Sequence, residues 1–278
     1  MKKILVPTDF SILADYAVHY AMKLAKEFNA SIILYHSFIP FESGFYPLAQ
    51  SKKENKETED NLIKRLAKIK DELLKSNKNV PVSVHVDRGP ESFQLVEFCK
   101  KKKIDLIVMG TKGASGLKEV VIGSFTADTM TKAPCPVLAI PQKCKFKIPK
   151  KITFASNYHK KDIQSIKLLL KWNEPFKAKI NILHIDDGEL IPAAEEEVFG
   201  NYKRKIEKQC EDISLSFQHI DGKDISKAIL HITLNDKTDI LSLSPIKREG
   251  IWTRLFHKSI TKTTAYHLRM PVLTIPIK

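Results

Sequence analysis

The sequence predicts an α/β protein made of two tandem, open parallel-sheet domains of the Rossmann-like type, with helices on both faces of each sheet. Three observations predict this fold: apolar runs alternate with helical patterns, three sequence blocks recur in order, and a glycine-rich loop follows one apolar run. Short apolar runs bounded by glycine are typical of buried parallel strands. Strands that alternate with helices form parallel sheets with right-handed crossovers.

The first half contains five candidate strands separated by helical patterns. The apolar runs lie near residues 3–7, 31–36, 80–86, 105–109 and 136–140. Apolar residues spaced by three and four predict an amphipathic helix from Ser11 to Phe28, and similar stripes predict helices through residues 62–74 and 93–98. Residues 38 to about 53 look irregular, and their aromatic side chains fit either a lid or interface segment or a surface excursion packed on its own domain.

The two halves of the chain repeat one plan. Residues 3–10 match residues 151–158, and residues 30–36 match residues 178–184 at the same spacing. Residues 136–141 match residues 271–276 further along. Because three matched blocks in the same order indicate a duplicated unit, we predict a first domain over 1–143, a linker over 144–150 and a second domain over 151–278.

The composition is typical of a soluble globular protein, with 278 residues, 43% of them hydrophobic and 28% charged. The N-terminus lacks a signal-peptide core, and no run approaches the roughly 18 to 20 apolar residues of a membrane span. We therefore expect a cytoplasmic protein without a membrane partner. The four cysteines form no Cys-x-x-Cys pair and the histidines show no metal-ligand spacing, so reduced thiols and no metal site are predicted.

The net charge of +14 is spread along the chain. Residues 1–143 carry 22 basic and 16 acidic groups, and residues 144–278 carry 24 and 16. The densest basic run, Lys100–Lys103, falls at the end of a predicted helix, where cations complement the helix dipole. No nucleic-acid module accompanies it, so we predict no nucleic-acid partner.

The segment that follows the fourth strand, here called the glycine loop, runs from residue 110 to residue 124 and is marked by Gly110, Gly113, Gly123 and Ser124. Glycine lets backbone N–H groups approach an anion closely, and Ser124 is predicted as the N-cap of the next helix, whose free N–H groups suit phosphate. Lys112 lies between two of these glycines and fits either a phosphate contact or a solvated lysine. The segment matches neither the P-loop nor the dinucleotide-binding fingerprint.

The spacing Gly-x2-Gly-x9-Gly-Ser resembles the motif of the universal stress protein family, in its ATP-binding branch. The opening strand Ile-Leu-Val-Pro-Thr-Asp and the block Pro-Val-Leu at the last strand are also similar to that family. The resemblance extends over the whole chain as a tandem pair. It implies two domains of the adenine nucleotide alpha hydrolase-like fold.

The resemblance also implies a bound ATP or AMP, with or without Mg²⁺, across the ends of the first and fourth strands. In the family, the Pro-Thr-Asp turn and the backbone after the second strand hold adenine and ribose, while the glycine loop holds phosphates. Carried onto this sequence, the expected binding residues are Pro7, Thr8, Asp9, Ser37 or its neighbour Phe38, Met109, Gly110, Lys112, Gly113, Gly123, Ser124, Phe125 and Thr126. A plain N-cap on the helix from about Ser11 is the alternative role for Asp9.

The second half departs from this motif. Ser244 stands in place of Gly110 and Asn157 in place of Asp9, and the other loop glycines are replaced by cations. Side chains and a proline in the loop hinder close backbone approach to phosphate, so we predict that this half does not bind ATP in the family manner. The cations fit either a different anion site or ordinary surface charge; they are Lys247, Arg248, Arg254 and Lys258.

The predicted function is a regulatory role in the stress response through nucleotide binding, with no catalytic residues and no committed reaction. The alternatives are a slow Mg-dependent ATPase or phosphotransfer protein, in which Asp9 helps to hold the metal, and a scaffold stabilised by nucleotide. The last strands, near 137–140 and 272–275, would be sheet edges, which invite pairing. Because family members commonly pair through that edge, we expect the two halves of the chain to pair as an intramolecular pseudo-dimer. Two such chains can then form a homodimer.

Overall fold

The computed structural model describes residues 1–41, 48–111, 122–159, 161–186, 192–210, 215–222, 224–245 and 270–276. Its contacts divide the chain into two compact units, and the main division falls between Phe146 and Lys147. Each unit is an α/β layer structure with a parallel sheet. The predicted fold class is therefore confirmed.

The first unit carries five parallel strands in the order β3-β2-β1-β4-β5. The strands are β1 Lys3–Pro7, β2 Ser31–Phe38, β3 Val82–Arg88, β4 Leu106–Gly110 and β5 Val137–Ile140. The helices are α1 Ile12–Phe28, α2 Leu48–Ser76, α3 Glu91–Lys102 and α4 Ser124–Lys132. The direction of winding reverses between β1 and β4, and ligands of such sheets bind beyond the carboxyl ends of the strands at this switch point.

The second unit repeats the arrangement with the order β10-β9-β6-β7-β8. Its strands are β6 Lys151–Ala155, β7 Lys179–Asp186, β8 Leu215–Asp221, β9 Ile240–Leu243 and β10 Val272–Thr274. Its described helices are α5 Asp162–Asn173, α6 Pro192–Gln209 and α7 Ile225–Asn235. The strands β6 and β9 lie side by side at the switch point, as β1 and β4 do in the first unit.

The duplication extends to individual hydrogen bonds. The Asp105 carboxylate, just before β4, accepts from two backbone N–H groups at the start of β1, at 2.8 and 3.0 Å. The Asp239 carboxylate, just before β9, does the same at the start of β6, at 2.7 and 3.0 Å. Equivalent positions can therefore be read from strand register, which places Ser244 at the position of Gly110.

Helix α1 is capped by Ser11, whose hydroxyl accepts from the N–H of Ala14 at 3.2 Å. The Asp9 carboxylate instead accepts from the N–H of Ser11 at 3.0 Å, which closes an Asx turn ahead of the helix. The alternative role of Asp9 as the helix N-cap is thus wrong, because Ser11 occupies that position.

Replacing Ser11 with alanine should lower the free energy of unfolding by about 1 kcal/mol, because it leaves an N–H group of the first turn without its acceptor. Urea unfolding followed by circular dichroism measures this loss. Ser11→Asp keeps an acceptor and should retain most of the stability. If Ser11→Asp loses as much as Ser11→Ala, the capping role is wrong.

Two predicted boundaries need correction. Helix α2 begins at Leu48, so residues 48–53 of the segment predicted to be irregular are helical, while residues 42–47 lie outside the described residues. Lysine and glutamate dominate the start of α2 and favour a helix. Ser124 is the first helical residue of α4, and its N-cap is Gly123, whose carbonyl accepts the first intrahelical bond, from Ala127 N at 2.9 Å.

The basic run ends a helix as predicted: Lys100–Lys102 form the last turn of α3, and Lys103 is its C-cap in the left-handed region. The four cysteines are free thiols, and three of them are buried. Within the part of the chain that the structure describes, no helix combines the length and apolar character needed to cross a membrane.

Candidate functional site

A pocket of about 260 Å³ opens at the carboxyl edge of the first sheet, where the winding reverses between β1 and β4. This is the place at which the topology predicts a ligand. Its volume is close to the lower end of the range for small-molecule sites, roughly 300 Å³. The lining residues are Pro7, Thr8, Asp9, Ala14, Tyr35, His36, Ser37, Glu91, Met109, Gly110, Gly123, Ser124, Phe125 and Thr126.

One wall of the pocket is the sharp turn that follows β1. Thr8 extends the strand ladder, since its N–H donates to the carbonyl of Tyr35 at 2.9 Å. The chain then bends at Phe10, whose φ of 63° lies in the left-handed region and whose N–H donates to the Thr8 hydroxyl at 3.1 Å. This bend leaves the half-buried Asp9 carboxylate on the pocket wall.

The side chain of His36 fixes this turn from the neighbouring strand. Its Nδ1 lies 2.8 Å from the carbonyl oxygen of Thr8, and its ring packs against Phe10 with centroids 4.8 Å apart. The guanidinium of Arg65 lies 3.8 Å from the centroid of the Phe10 ring, a cation–π contact. A carbonyl can only accept, so Nδ1 carries the proton and Nε2 of a neutral His36 is an acceptor.

The opposite wall is formed by the end of β4 and the start of α4. The buried Thr126 hydroxyl donates to the carbonyl of Gly110 at 2.9 Å, which fixes the helix against the strand end. The N–H of Gly123 donates to the carbonyl of Thr111 at 2.7 Å. The two ends of the glycine loop are therefore tied together, and the first turn of α4 borders the pocket with N–H groups that lack intrahelical partners.

The pocket is electrostatically asymmetric. The carboxylates of Asp9 and Glu91 lie on the side of β1, β2 and β3, whereas the N-terminus of α4 lies on the side of β4. A helix N-terminus carries about half a positive charge and attracts anions. An elongated ligand with an anionic end and a hydroxyl-rich end would match this polarity.

Ten of the predicted binding residues lie together around this pocket, including Ser37. Phe38 is not among the lining residues, and Lys112 and Gly113 lie outside the described residues. Sequence reasoning missed four lining residues, namely Ala14, Tyr35, His36 and Glu91. A signal was available for one of them, because His36 has a histidine counterpart, His184, in the repeated block.

The second unit contains the same kind of turn as the one that forms a wall of the first pocket. The N–H of Ser156 donates to the carbonyl of Leu183 at 2.9 Å, as Thr8 does to Tyr35. His184 Nδ1 lies 2.8 Å from the carbonyl oxygen of Ser156, and Tyr158 stacks on His184 with centroids 3.9 Å apart. The backbone frame of the site is thus present twice.

The side chains in the second frame differ at the positions that line the first pocket. Asp162 replaces Ala14, Ile185 replaces Ser37 and Ser244 replaces Gly110. The Asp162 carboxylate is 2% exposed and accepts from the hydroxyl of Ser156 at 2.7 Å. Burial raises the pKa of Asp162 to about 6, although hydrogen bonds from Ser156 and Ser244 oppose the rise.

The hydroxyl of Tyr202, on α6, lies 2.8 Å from the same serine oxygen. Tyr202 is 4% exposed, and burial is the main cause that raises the pKa of its hydroxyl. An acid and a large aromatic side chain therefore lie near the place that is open in the first unit. The predicted loop cations Lys247, Arg248, Arg254 and Lys258 lie outside the described residues.

The fold and the pocket define a doubly wound α/β protein with a pocket at the switch point of its first sheet. The profile of the universal stress protein family matches residues 1–141, which is half of the chain, and the chain belongs to this family. Two universal stress proteins of Methanocaldococcus jannaschii are similar to it. One is 32% identical over 146 residues, covering 50% of this chain and 81% of the relative. The other is 32% identical over 156 residues, covering 51% of this chain and 96% of the relative.

A solved universal stress protein from Archaeoglobus fulgidus is similar in fold over both units. It superposes with a TM-score of 0.68, covering 99% of this chain and 98% of its own, at 14% sequence identity. At that identity the likeness concerns the fold alone. The tandem arrangement is therefore a fold that this chain shares with a known universal stress protein.

Proposed function

We propose that the first unit binds one adenine nucleotide, ATP or AMP, and that the protein has a regulatory role in the stress response through this nucleotide. The observation that carries the proposal is the convergence of ten expected binding residues on one pocket at the switch point of the sheet. Family membership supports the class of ligand. The proposal assigns no reaction to the chain.

The polarity of the pocket suggests the orientation of the nucleotide. Phosphates would lie at the N-terminus of α4, where the N–H groups of Ser124 and Phe125 have no intrahelical acceptor. The ribose would lie toward Asp9, since a carboxylate accepts hydrogen bonds from hydroxyl groups. The acceptor nitrogen of His36 lies on the same side.

We further propose that only the first unit holds a nucleotide. In the second unit a buried carboxylate, Asp162, stands where Ala14 lines the pocket. An ionised carboxylate at that position would repel phosphate, and Ser244 introduces a side chain where Gly110 allows close approach. The expected stoichiometry is one nucleotide per chain.

Gly123→Val should weaken ATP and AMP binding by about tenfold or more, because Gly123 lines the pocket at the start of α4 and glycine there lets an anion approach the free N–H groups closely. The backbone of Gly123 is extended, with φ −63° and ψ 154°, which valine tolerates. Isothermal titration calorimetry measures affinity and stoichiometry together. The matched control is Gly200→Val, since a Cβ at Gly200 would meet nothing within 4 Å.

Unchanged affinity in Gly123→Val would contradict the site, and two nucleotides per chain would contradict the single-site proposal.

A slow ATPase would instead show metal-dependent hydrolysis that Asp9→Ala abolishes. A nucleotide-stabilised scaffold would bind its partners equally with and without ATP. Pairing through the last strands and a cytoplasmic location stay predictions.

A further inference from the structure

Three side chains with metal-ligating atoms meet at the carboxyl ends of β7 and β8. They are Asp186, His219 and Asp221, and their ligand atoms all lie within 4.8 Å of one another. His219 and Asp221 are two residues apart on β8 and share a face, and Asp221 is the register partner of Asp186 on β7. The sheet itself therefore brings the three groups together.

The imidazole of His219 has one nitrogen held and the other directed at a carboxylate. Its Nδ1 lies 3.1 Å from the hydroxyl of Tyr158, and its Nε2 lies 3.9 Å from Oδ2 of Asp186. The second distance is too long for a hydrogen bond. The Tyr158 hydroxyl oxygen can accept the Nδ1 proton, and in that tautomer Nε2 carries no proton and can bind a metal. Metal-binding histidines usually donate their other ring N–H to an oxygen, which orients the ring.

The first unit lacks these ligands at the equivalent positions. By register, Asp186 and Asp221 correspond to Phe38 and Arg88, and His219 corresponds to Val86. The fold therefore does not require the cluster. Two carboxylates directly opposite each other on neighbouring strands also repel, and like charges at such a pair are destabilising. A cation between them removes that repulsion.

We propose that Asp186, His219 and Asp221 bind a divalent transition-metal ion, such as Mn²⁺ or Zn²⁺, with water completing the coordination. Two carboxylates and one imidazole suit these ions, whereas Mg²⁺ and Ca²⁺ prefer oxygen ligands alone. The side chains of Asp186 and His219 are 18% and 26% exposed, so the site is partly shielded and still open to water. The site belongs to the second unit and does not rest on the proposed nucleotide function.

The test is a titration of the untagged, nucleotide-free full chain with Mn²⁺, in which electron paramagnetic resonance measures the free ion. We expect one saturable Mn²⁺ per chain. Asp186→Asn and His219→Gln should each weaken binding by about tenfold or more, since each removes a ligand. Zn²⁺ should displace Mn²⁺ at lower concentration than Mg²⁺ does.

The matched control is Asp224→Asn. It removes a carboxylate close by in sequence, while the amide oxygen can still accept from Lys227 N and cap α7. Thermal unfolding in EDTA verifies the fold of each variant, and Asp221→Asn, at an exposed position, supplies a third ligand variant. No saturable Mn²⁺ binding, equal binding in the ligand variants and the control, or Mg²⁺ competing as well as Zn²⁺ would each overturn the proposal.

Discussion

Ala14→Asp should reduce the affinity of the first unit for ATP by about 100-fold or more. Ala14 lines the pocket and is 6% exposed, and at the equivalent position Asp162 is 2% exposed. At an effective dielectric constant of about 20, two like charges repel by roughly 4 kcal/mol at 4 Å and by roughly 2.8 kcal/mol at 6 Å. A 100-fold change in affinity corresponds to roughly 2.7 kcal/mol, so the predicted loss requires a phosphate charge within about 6 Å of the new carboxylate. Calorimetric titration of the variant with ATP measures the loss.

Ala14→Asn separates charge from size, because asparagine fills nearly the same volume without a negative charge. We expect Ala14→Asn to bind ATP more tightly than Ala14→Asp by about tenfold or more, with adenosine much less affected by the charge than ATP. Equal losses in the two variants would show that crowding alone closes the pocket. The electrostatic explanation of the single-site proposal would then be wrong.

The sheet could be predicted from sequence because its signals are local. The apolar runs of β1 and β4 are short, continuous and bounded by turn residues, and the stripe of α1 has helical spacing. Boundaries were less predictable where long-range contacts decide them. The N-cap of α4 is Gly123 because its N–H is tied to Thr111 across the loop, a bond that residue types alone do not reveal.

In the candidate sites too, some residues can be recognised from the sequence, whereas others are brought to the site only by the fold. Glycines at fixed spacing and the turn after β1 are visible in the sequence, whereas Glu91 borders the pocket only because α3 begins beside it. The metal cluster is a stronger example. Asp186 lies 33 residues before His219, and the two meet only through the register of β7 and β8. Histidine spacing along the chain therefore gave no reason to expect a metal site.

Asp162→Asn should remove a pH dependence from the free energy of unfolding. Burial raises the pKa of Asp162 from 3.8 to about 6, so between these pH values the native state binds more protons than the unfolded state. The free energy of unfolding therefore falls as pH rises through this window. The shift corresponds to a decrease of about 3 kcal/mol, which is nearly complete about one pH unit above the native pKa. The asparagine variant should be more stable than the wild type at pH 7, and the difference should vanish near pH 3.5.

Urea unfolding of the wild type and of Asp162→Asn at several pH values measures the difference between their free energies of unfolding. The titration of all other groups contributes equally to both proteins and cancels in this difference. Ser156→Ala tests the cause, because it removes a hydrogen bond at 2.7 Å that favours the ionised carboxylate. The pKa of Asp162 should then rise further, and the decrease in stability should extend to higher pH. If the free energies of unfolding of the wild type and of Asp162→Asn changed in parallel from pH 3.5 to 7, the claim that Asp162 is a buried, ionised carboxylate at pH 7 would be wrong. That result would also remove the electrostatic reason for expecting that the second unit excludes phosphate.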